Sequence, residues 1–255
     1  MVIKNSVLLF KSRNLDNSED GYEKILTENN FSVEIINPLG FEFKNLDVLK
    51  KKLETNDDYS GLIFTSPRCA EAVILASEND NFMDRWNDKN NFVVGEATYK
   101  IVLEKLGLTC NGKDTGNALN LSLLIIQNKS LYNKPFLFPC GNLKSDTLHS
   151  ELSKEGLGVD DIEVYDVTSN PNIEKEIAEA TNNFASMPEF VVFFSPSGFS
   201  NTIDIIKKAS DRTEKLKFIA IGPTTERAIL EQNFTVHGVA KQPKPNDILK
   251  VILNR

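Results

Sequence analysis

The sequence predicts an α/β protein of two parallel-sheet domains, and three observations predict it. Short apolar runs alternate with helix-period stretches from end to end, one strand-turn-helix unit occurs twice, and two extended segments ending at proline leave corresponding places in the two copies. The alternation is that of βαβ units, in which strands covered on both faces read as continuous apolar runs.

Taken in order, the clearest strands are 7–10 (VLLF), 61–65 (GLIFT), 92–94 (FVV), 136–138 (FLF), 190–194 (FVVFF) and 217–221 (KFIAI), each followed by turn residues and then a helical stretch. Phe64-Thr65-Ser66-Pro67 and Phe194-Ser195-Pro196 both end a strand and open a helix. Val94-Gly95-Glu96-Ala97-Thr98 and Ile221-Gly222-Pro223-Thr224-Thr225 repeat the next strand-to-helix turn at nearly the same separation along the chain. VLLFKSRN at 7–14 matches FLFPCGN at 136–142, so the second copy begins near residue 131. The extended stretches 31–38 (FSVEIINP) and 159–171 (VDDIEVYDVTSNP) are expected to be a pair of interdomain crossings, a two-strand hinge. The domains are then 38–166 and the discontinuous pair 1–37 plus 167–255. The polar stretch 78–91 reads as a solvated loop or helix end, with Trp86 a partly buried anchor rather than a stacking platform for a ligand. Residues 241–245 read as a structural loop, with Asn246-Asp247 the expected N-cap of a last helix over 247–253.

At 255 residues, 40% hydrophobic and 25% charged, the composition is that of a globular protein. No apolar run approaches the roughly 20 residues that cross a bilayer, and the N-terminal MVIKNSVLLFK lacks the pattern of a secretory signal, so a cytoplasmic protein without membrane contact is expected. Cys69, Cys110 and Cys140 are widely spaced and odd in number, which signals neither a disulfide framework nor a zinc site; buried reduced thiols are expected, and no metal. A net charge of −7 without a basic tract argues against a nucleic-acid partner, and means that local groups must attract any anionic ligand.

In an open parallel sheet, ligands bind at the carboxyl ends of the strands. Ser66, Ser195, Ser197, Thr98, Thr224 and Thr225 all fall there, at or just inside helix starts, where backbone N–H groups favour anions. Ser and Thr are also ordinary caps, so for any one of them capping competes with ligand contact. Their grouping in two domains suggests a groove lined with donors. Arg68, after Ser66-Pro67, could hold a carboxylate, since a cation at a helix start works against the helix dipole and wants another reason to be there. Tyr165, at the end of the return strand, could donate a proton, or could simply be buried there. His149 reads as a solvated helix-face residue and His237 stands beside no nucleophile motif. Signatures of triad hydrolases, P-loops, zincins and dinucleotide-binding folds are missing.

The segments GLIFTSPRCAEAV at 61–73, VVGEAT at 93–98, LFPCGN at 137–142, EVYDVT at 163–168, FFSPSG at 193–198 and KFIAIGPTTERA at 217–228 together resemble the uroporphyrinogen-III synthases, most closely their animal-type members. The resemblance implies two doubly wound, flavodoxin-like domains joined by a two-strand ladder. It implies a cofactor-free lyase of heme biosynthesis that closes linear hydroxymethylbilane, with its eight carboxylates, to uroporphyrinogen III, inverting ring D through a spiro intermediate and losing water. On it, Tyr165 is the candidate proton donor to the departing hydroxyl, and Ser66, Arg68, Thr98, Ser197, Lys217, Thr224 and Thr225 bind substrate carboxylates or border the groove. Lys217 begins its strand, far from the carboxyl end. It further implies a monomer, with hydroxymethylbilane synthase as a transient partner. The turn at 11–22 (KSRNLDNSEDGY) matches the family poorly. A two-domain module that binds an anion without converting it is the competing expectation.

Overall fold

The computed structural model describes residues 1–13, 19–78, 81–209 and 215–254 of the chain. It divides into two compact units, Met1–Gly40 with Thr168–Arg255 (unit 1) and Phe41–Val167 (unit 2). In chain order the elements are β1 (Val2–Phe10), α1 (Gly21–Glu28), β2 (Ser32–Ile36), β3 (Leu39–Phe43), α2 (Leu46–Glu54), β4 (Gly61–Phe64), α3 (Pro67–Ala76), β5 (Phe92–Val93), α4 (Glu96–Leu106), α5 (Ala118–Ile126), β6 (Phe136–Gly141), α6 (Thr147–Lys154), β7 (Val159–Ser169), α7 (Ile173–Ala180), β8 (Met187–Phe193), α8 (Pro196–Ser200), α9 (Ile203–Ala209), β9 (Lys217–Ala220), α10 (Pro223–Glu231), β10 (Val236–Val239) and α11 (Pro245–Leu253).

Unit 1 holds a five-stranded sheet in the order β10-β9-β8-β1-β2, all its pairings parallel, and unit 2 a sheet in the order β3-β7-β6-β4-β5. The apolar runs explain why each sheet is covered twice. Along β1, Val7 and Leu9 face one core with Phe190, Val192 and Ile248, while Leu8 and Phe10 face the other with Val191, Phe193 and Phe199. Unit 2 repeats the pattern: Leu62 and Phe64 pack toward α2 and α3, Ile63 toward Phe136, Phe138 and Leu148. Alternate side chains of a strand point to opposite faces, so an unbroken apolar run needs helices on both. That is the doubly wound α/β fold.

The repeat seen in the sequence is distributed across the units. β1 and β2 of the first copy join β8, β9 and β10 of the second in unit 1, whereas β4 and β5 of the first join β6 and β7 of the second in unit 2. The sheets match strand for strand, β1 with β6, β8 with β4 and β9 with β5. The isolated parallel bridge from Phe92 to Asn111 takes the place in unit 2 that β10 takes in unit 1.

Several expectations need correction. Residues 31–38 are not a crossing: β2 lies within unit 1, parallel to β1 from Ser6↔Ser32 to Phe10↔Ile36. The chain passes between units within β3, just beyond Pro38, and returns within β7. Lys44 N–H donates to the Val164 carbonyl (2.9 Å) and Asn170 N–H to that of Pro38 (3.2 Å), so this ladder runs antiparallel. Tyr165 lies inside the eleven-residue β7, not at its end, because β7 runs on past the sheet; it is level with Gly141, the last residue of β6. The last helix starts at Pro245 with Lys244 as its cap, so Pro245 at the first helical position, not Asn246-Asp247, sets the boundary. Trp86 is fully rather than partly buried, and its Nε1 donates to the Leu53 carbonyl at 3.0 Å.

Candidate functional site

In unit 2, the carboxyl ends of β4 and β6 bring together Ser66, Arg68, Cys69, Gly141 and Tyr165. β4 ends at Phe64, and extended Ser66 (φ −154°, ψ 157°) caps α3, its Oγ accepting from the Cys69 N–H at 3.3 Å with Pro67 in the first helical position. This is the expected capping role. The same Oγ also lies 3.2 Å from the Tyr165 hydroxyl and 3.1 Å from Cys69 Sγ, so Ser66 is at once a helix cap and the hydrogen-bond neighbour of Tyr165.

Tyr165 is held from three sides. A Cβ on Gly141 would stand 2.5 Å from its ring, so only glycine leaves room for it. Phe41 meets the ring edge-on, with centroids 6.0 Å apart. Burial pushes the phenol pKa above its ordinary value, the Cys69 sulfur adds to the rise, and the Ser66 hydrogen bond offsets part of it. The phenol therefore keeps its proton throughout the neutral range. Since Ser66 Oγ already accepts from the Cys69 N–H, it can donate its own hydrogen to Tyr165 and leave the phenolic hydrogen free for a third party. The Cys69 thiol is buried and also raised, chiefly by burial, which keeps it neutral.

Arg68 lies next to this group with its guanidinium over the Phe41 ring, 4.4 Å from the centroid. It is not a loose surface arginine, because Glu71 holds its Nη1.

The second turn of each unit is built differently. Gly95 caps α4 at φ +84°, a left-handed value that favours glycine, and Gly222 caps α10; neither helix start has a side-chain cap. The first backbone N–H groups of both helices thus lack intrahelical partners and are suited to an anion. The threonine hydroxyls are placed less favourably. Thr98 and Thr225 are only 3% and 1% exposed, turned into the cores, while Thr224 is exposed. Ser195 caps the short α8, accepting from Gly198 N–H at 2.9 Å; exposed Ser197 stands 3.1 Å from its Oγ.

Lys217 stands apart from these turns. It begins β9 at the amino end of the unit 1 sheet, bonded to Glu189 at 2.8 Å and over the Phe190 ring, whereas the Gly222 turn follows the other end of the strand. His237 is on the neighbouring β10, its Nε2 buried without a partner and its pKa lowered by burial and by Lys217. His149 is half exposed and faces Asp161, as a solvated helix residue does. A cavity of about 100 Å³ also lies at the amino end, lined by Ser6, Ser32, Glu34 and Thr181; that volume suits a few water molecules rather than an organic ligand.

Sequence reasoning missed Phe41, Glu71, Gly141 and Lys113. Lys113, over the Tyr99 ring and 3.6 Å from Glu96, puts a cation beside the start of α4. Glu71 and Gly141 lie within the segments 61–73 and 137–142 and Phe41 and Lys113 outside them, but nothing in their type or spacing marks them as site residues, and each reaches its place through folding. Of the 11–22 turn, Lys11 is paired with Asp20 beneath Tyr22 and Phe194, and residues 14–18 lie outside the described residues. Among the described residues, no helix is long and apolar enough to cross a membrane.

The comparisons with known proteins agree with one another. The family model described as uroporphyrinogen-III synthase HemD matches residues 20–250. A curated uroporphyrinogen-III synthase from Saccharomyces cerevisiae is 25% identical over 207 residues, covering 75% of this chain and 74% of the yeast protein. The crystal structure of uroporphyrinogen-III synthetase from Helicobacter pylori superposes with a TM-score of 0.61 at 16% identity, over 97% of this chain and 98% of that one. A mutant of the uroporphyrinogen III synthase from Thermus thermophilus gives 0.53 at 12% identity, over 98% and 99%. At such identities the two structures speak for the fold.

Proposed function

Given that this chain belongs to the uroporphyrinogen-III synthase family, we propose that Tyr165 is the proton donor of its reaction and that the helix-start turns hold the substrate's carboxylates. The enzyme is a cyclising lyase of heme biosynthesis: it closes linear hydroxymethylbilane to uroporphyrinogen III with inversion of ring D and loss of water. One observation carries the role of Tyr165. Its hydroxyl stands 3.2 Å from Ser66 Oγ, where either oxygen can donate, in surroundings that raise its pKa, so a phenol that keeps its proton sits at the carboxyl ends of the strands and can turn its hydrogen to a substrate.

An electron-rich pyrrole expels its hydroxymethyl oxygen readily once that oxygen is protonated. The phenol hydrogen goes to the departing hydroxyl, which leaves as water; closure forms the last carbon–carbon bond at the terminal ring's free α-carbon and expels the proton that carbon carried, and that proton restores the phenol. Little further chemistry is needed from the protein. Its main task is to hold the flexible substrate so that attack forms the spiro centre rather than direct closure, which is catalysis by positioning.

Arg68 offers a charge-assisted donor, Ser66 and Ser197 offer hydroxyls, and the turns at Gly95 and Gly222 offer backbone N–H groups through Thr98, Thr224 and Thr225. For Thr98 and Thr225, burial of the hydroxyl moves the proposal from side chain to main chain. Direct closure also proceeds without assistance, which favours prompt capture of the substrate. On that ground the proposal includes a cytoplasmic monomer in transient contact with hydroxymethylbilane synthase; sedimentation at working concentration tests the monomer.

The test of the site is Tyr165→Phe, assayed with enzymatically generated hydroxymethylbilane and separation of type I and type III porphyrins after oxidation. The variant should keep its fold and lose about 10²-fold or more in turnover, the usual worth of a positioned acid. Wild-type turnover would remove Tyr165 as donor, and a wild-type protein that gave only the type I isomer would make the chain a binding protein.

A further inference from the structure

The guanidinium offered to the substrate already holds a carboxylate. Arg68 Nη1 donates to both oxygens of Glu71, at 2.7 and 2.5 Å, while Phe41 supports the plane from below. The two side chains are 26% and 30% exposed, so the pair is partly desolvated yet open to solvent. Nη2 and Nε of Arg68 make no hydrogen bond among the described residues. Arg68 is at the second position of α3, where the helix dipole repels a cation, and Glu71 follows one turn later. The pair thus holds a cation at a place that local structure disfavours.

The chemistry of the partner is informative. Beyond its Cα, a glutamate side chain is a propionate, the carboxylate on a two-carbon stem that hydroxymethylbilane carries on each of its rings. We propose that Glu71 is a stand-in for a substrate propionate: it occupies Arg68 in the free enzyme, yields the guanidinium to the substrate on binding, and reclaims it when the product leaves. The inference rests on the reading of Arg68 as a carboxylate binder. Exchange trades one propionate–guanidinium contact for another, so a ligand carboxylate must match Glu71 to displace it. Being tethered to the same helix, Glu71 competes at high effective concentration, which weakens binding of substrate and product alike and speeds product release. Glu71 is on this account a positioning residue that acts through Arg68.

Glu71→Gln should lower both the KM for hydroxymethylbilane and the inhibition constant of uroporphyrinogen III, by roughly two- to five-fold if the pair has the strength usual for partly exposed ion pairs. The gain should vanish when Arg68→Gln is also present, whereas relief of simple charge repulsion would persist. A KM that stays or rises in Glu71→Gln, or a gain that survives in the double variant, overturns the exchange. Arg68→Gln alone checks the reading beneath: an unaltered KM there removes Arg68 from binding, while a raised KM beside a silent Glu71→Gln removes only the exchange. Arg68→Met, which keeps most of the stem over Phe41 and loses the charge, takes the same place in the cycle should the glutamine variant not fold.

Discussion

Adding one methyl group at Gly141 should disable the proposed donor without touching it. A Cβ there would stand 2.5 Å from Cζ, 2.6 Å from Cε2 and 2.8 Å from the hydroxyl oxygen of Tyr165. Non-bonded carbons rest at about 3.5 to 4.0 Å, so the ring must retreat by about 1 Å. The Tyr165 hydroxyl is 3.2 Å from Ser66 Oγ, and a shift of that size breaks or distorts the contact. Misplacement of a reacting group by about 1 Å costs on the order of 10²-fold in rate. Overpacking of this kind costs about 1 to 3 kcal/mol, a Tm loss of roughly 2 to 12 °C for a chain of this length. The assay is turnover to type III porphyrin beside thermal unfolding by circular dichroism. Gly158→Ala is the control, since its methyl would meet Pro135 at 3.1 Å, away from Tyr165, and test destabilisation without displacement of the phenol. Turnover within three-fold of wild type in Gly141→Ala, or an equal loss in Gly158→Ala, would refute the reasoning.

Ser66→Ala removes the cap on Cys69 N–H and the partner of Tyr165, so it should lose about 1 kcal/mol and also turnover, whereas Ser195→Ala, with the same cap geometry, should match it in stability only; equal turnover in the two would uncouple Ser66 from Tyr165. Burial alone would raise the Asp20 carboxyl, yet the Lys11 ion pair and the N–H groups of Glu23 and Tyr22 outweigh it and leave the pKa below its ordinary value. A lowered folded pKa gives stability present above the unfolded value of about 3.9 and lost as pH falls through the folded one. The gap in unfolding free energy between wild type and Asp20→Asn should therefore close in acid, and a gap constant from pH 7 to pH 2 would contradict it. Lys217→Gln should shift KM by less than about two-fold and cost at most about 1 kcal/mol of stability, because Lys217 is tied to Glu189 at the amino end of its sheet; a several-fold rise in KM would return it to the substrate site.

Much of this molecule is written locally. Runs such as VLLF and FVVFF have no polar face, so they dictate strands covered on both sides, and Ser-Pro after two of them dictates where helices start. Duplication could be seen because the repeated turns kept their residue types. The proposed site was legible to the extent that it sits on those turns: Ser66, Arg68, Thr98, Ser197, Thr224 and Thr225 follow strand ends in the sequence itself. Tyr165 needed the family resemblance as well.

Pairing between distant segments was not local. That β2 completes unit 1 and β3 makes the crossing follows from hydrogen bonds across many residues, and two extended segments ending at proline look alike until their partners are known. Burial likewise decided between side chain and main chain at Thr98 and Thr225, since a threonine near a helix start can turn either way. Phe41, Glu71 and Gly141 acquire meaning only where β3, α3 and β6 converge on Tyr165. The sequence by itself determined which elements form and what kind of chemistry their turns can offer, because propensity, capping and strand periodicity act over a few residues. Tertiary structure alone decided which of those groups touch, which are enclosed and which cation already has a carboxylate, because packing joins residues that the chain holds far apart.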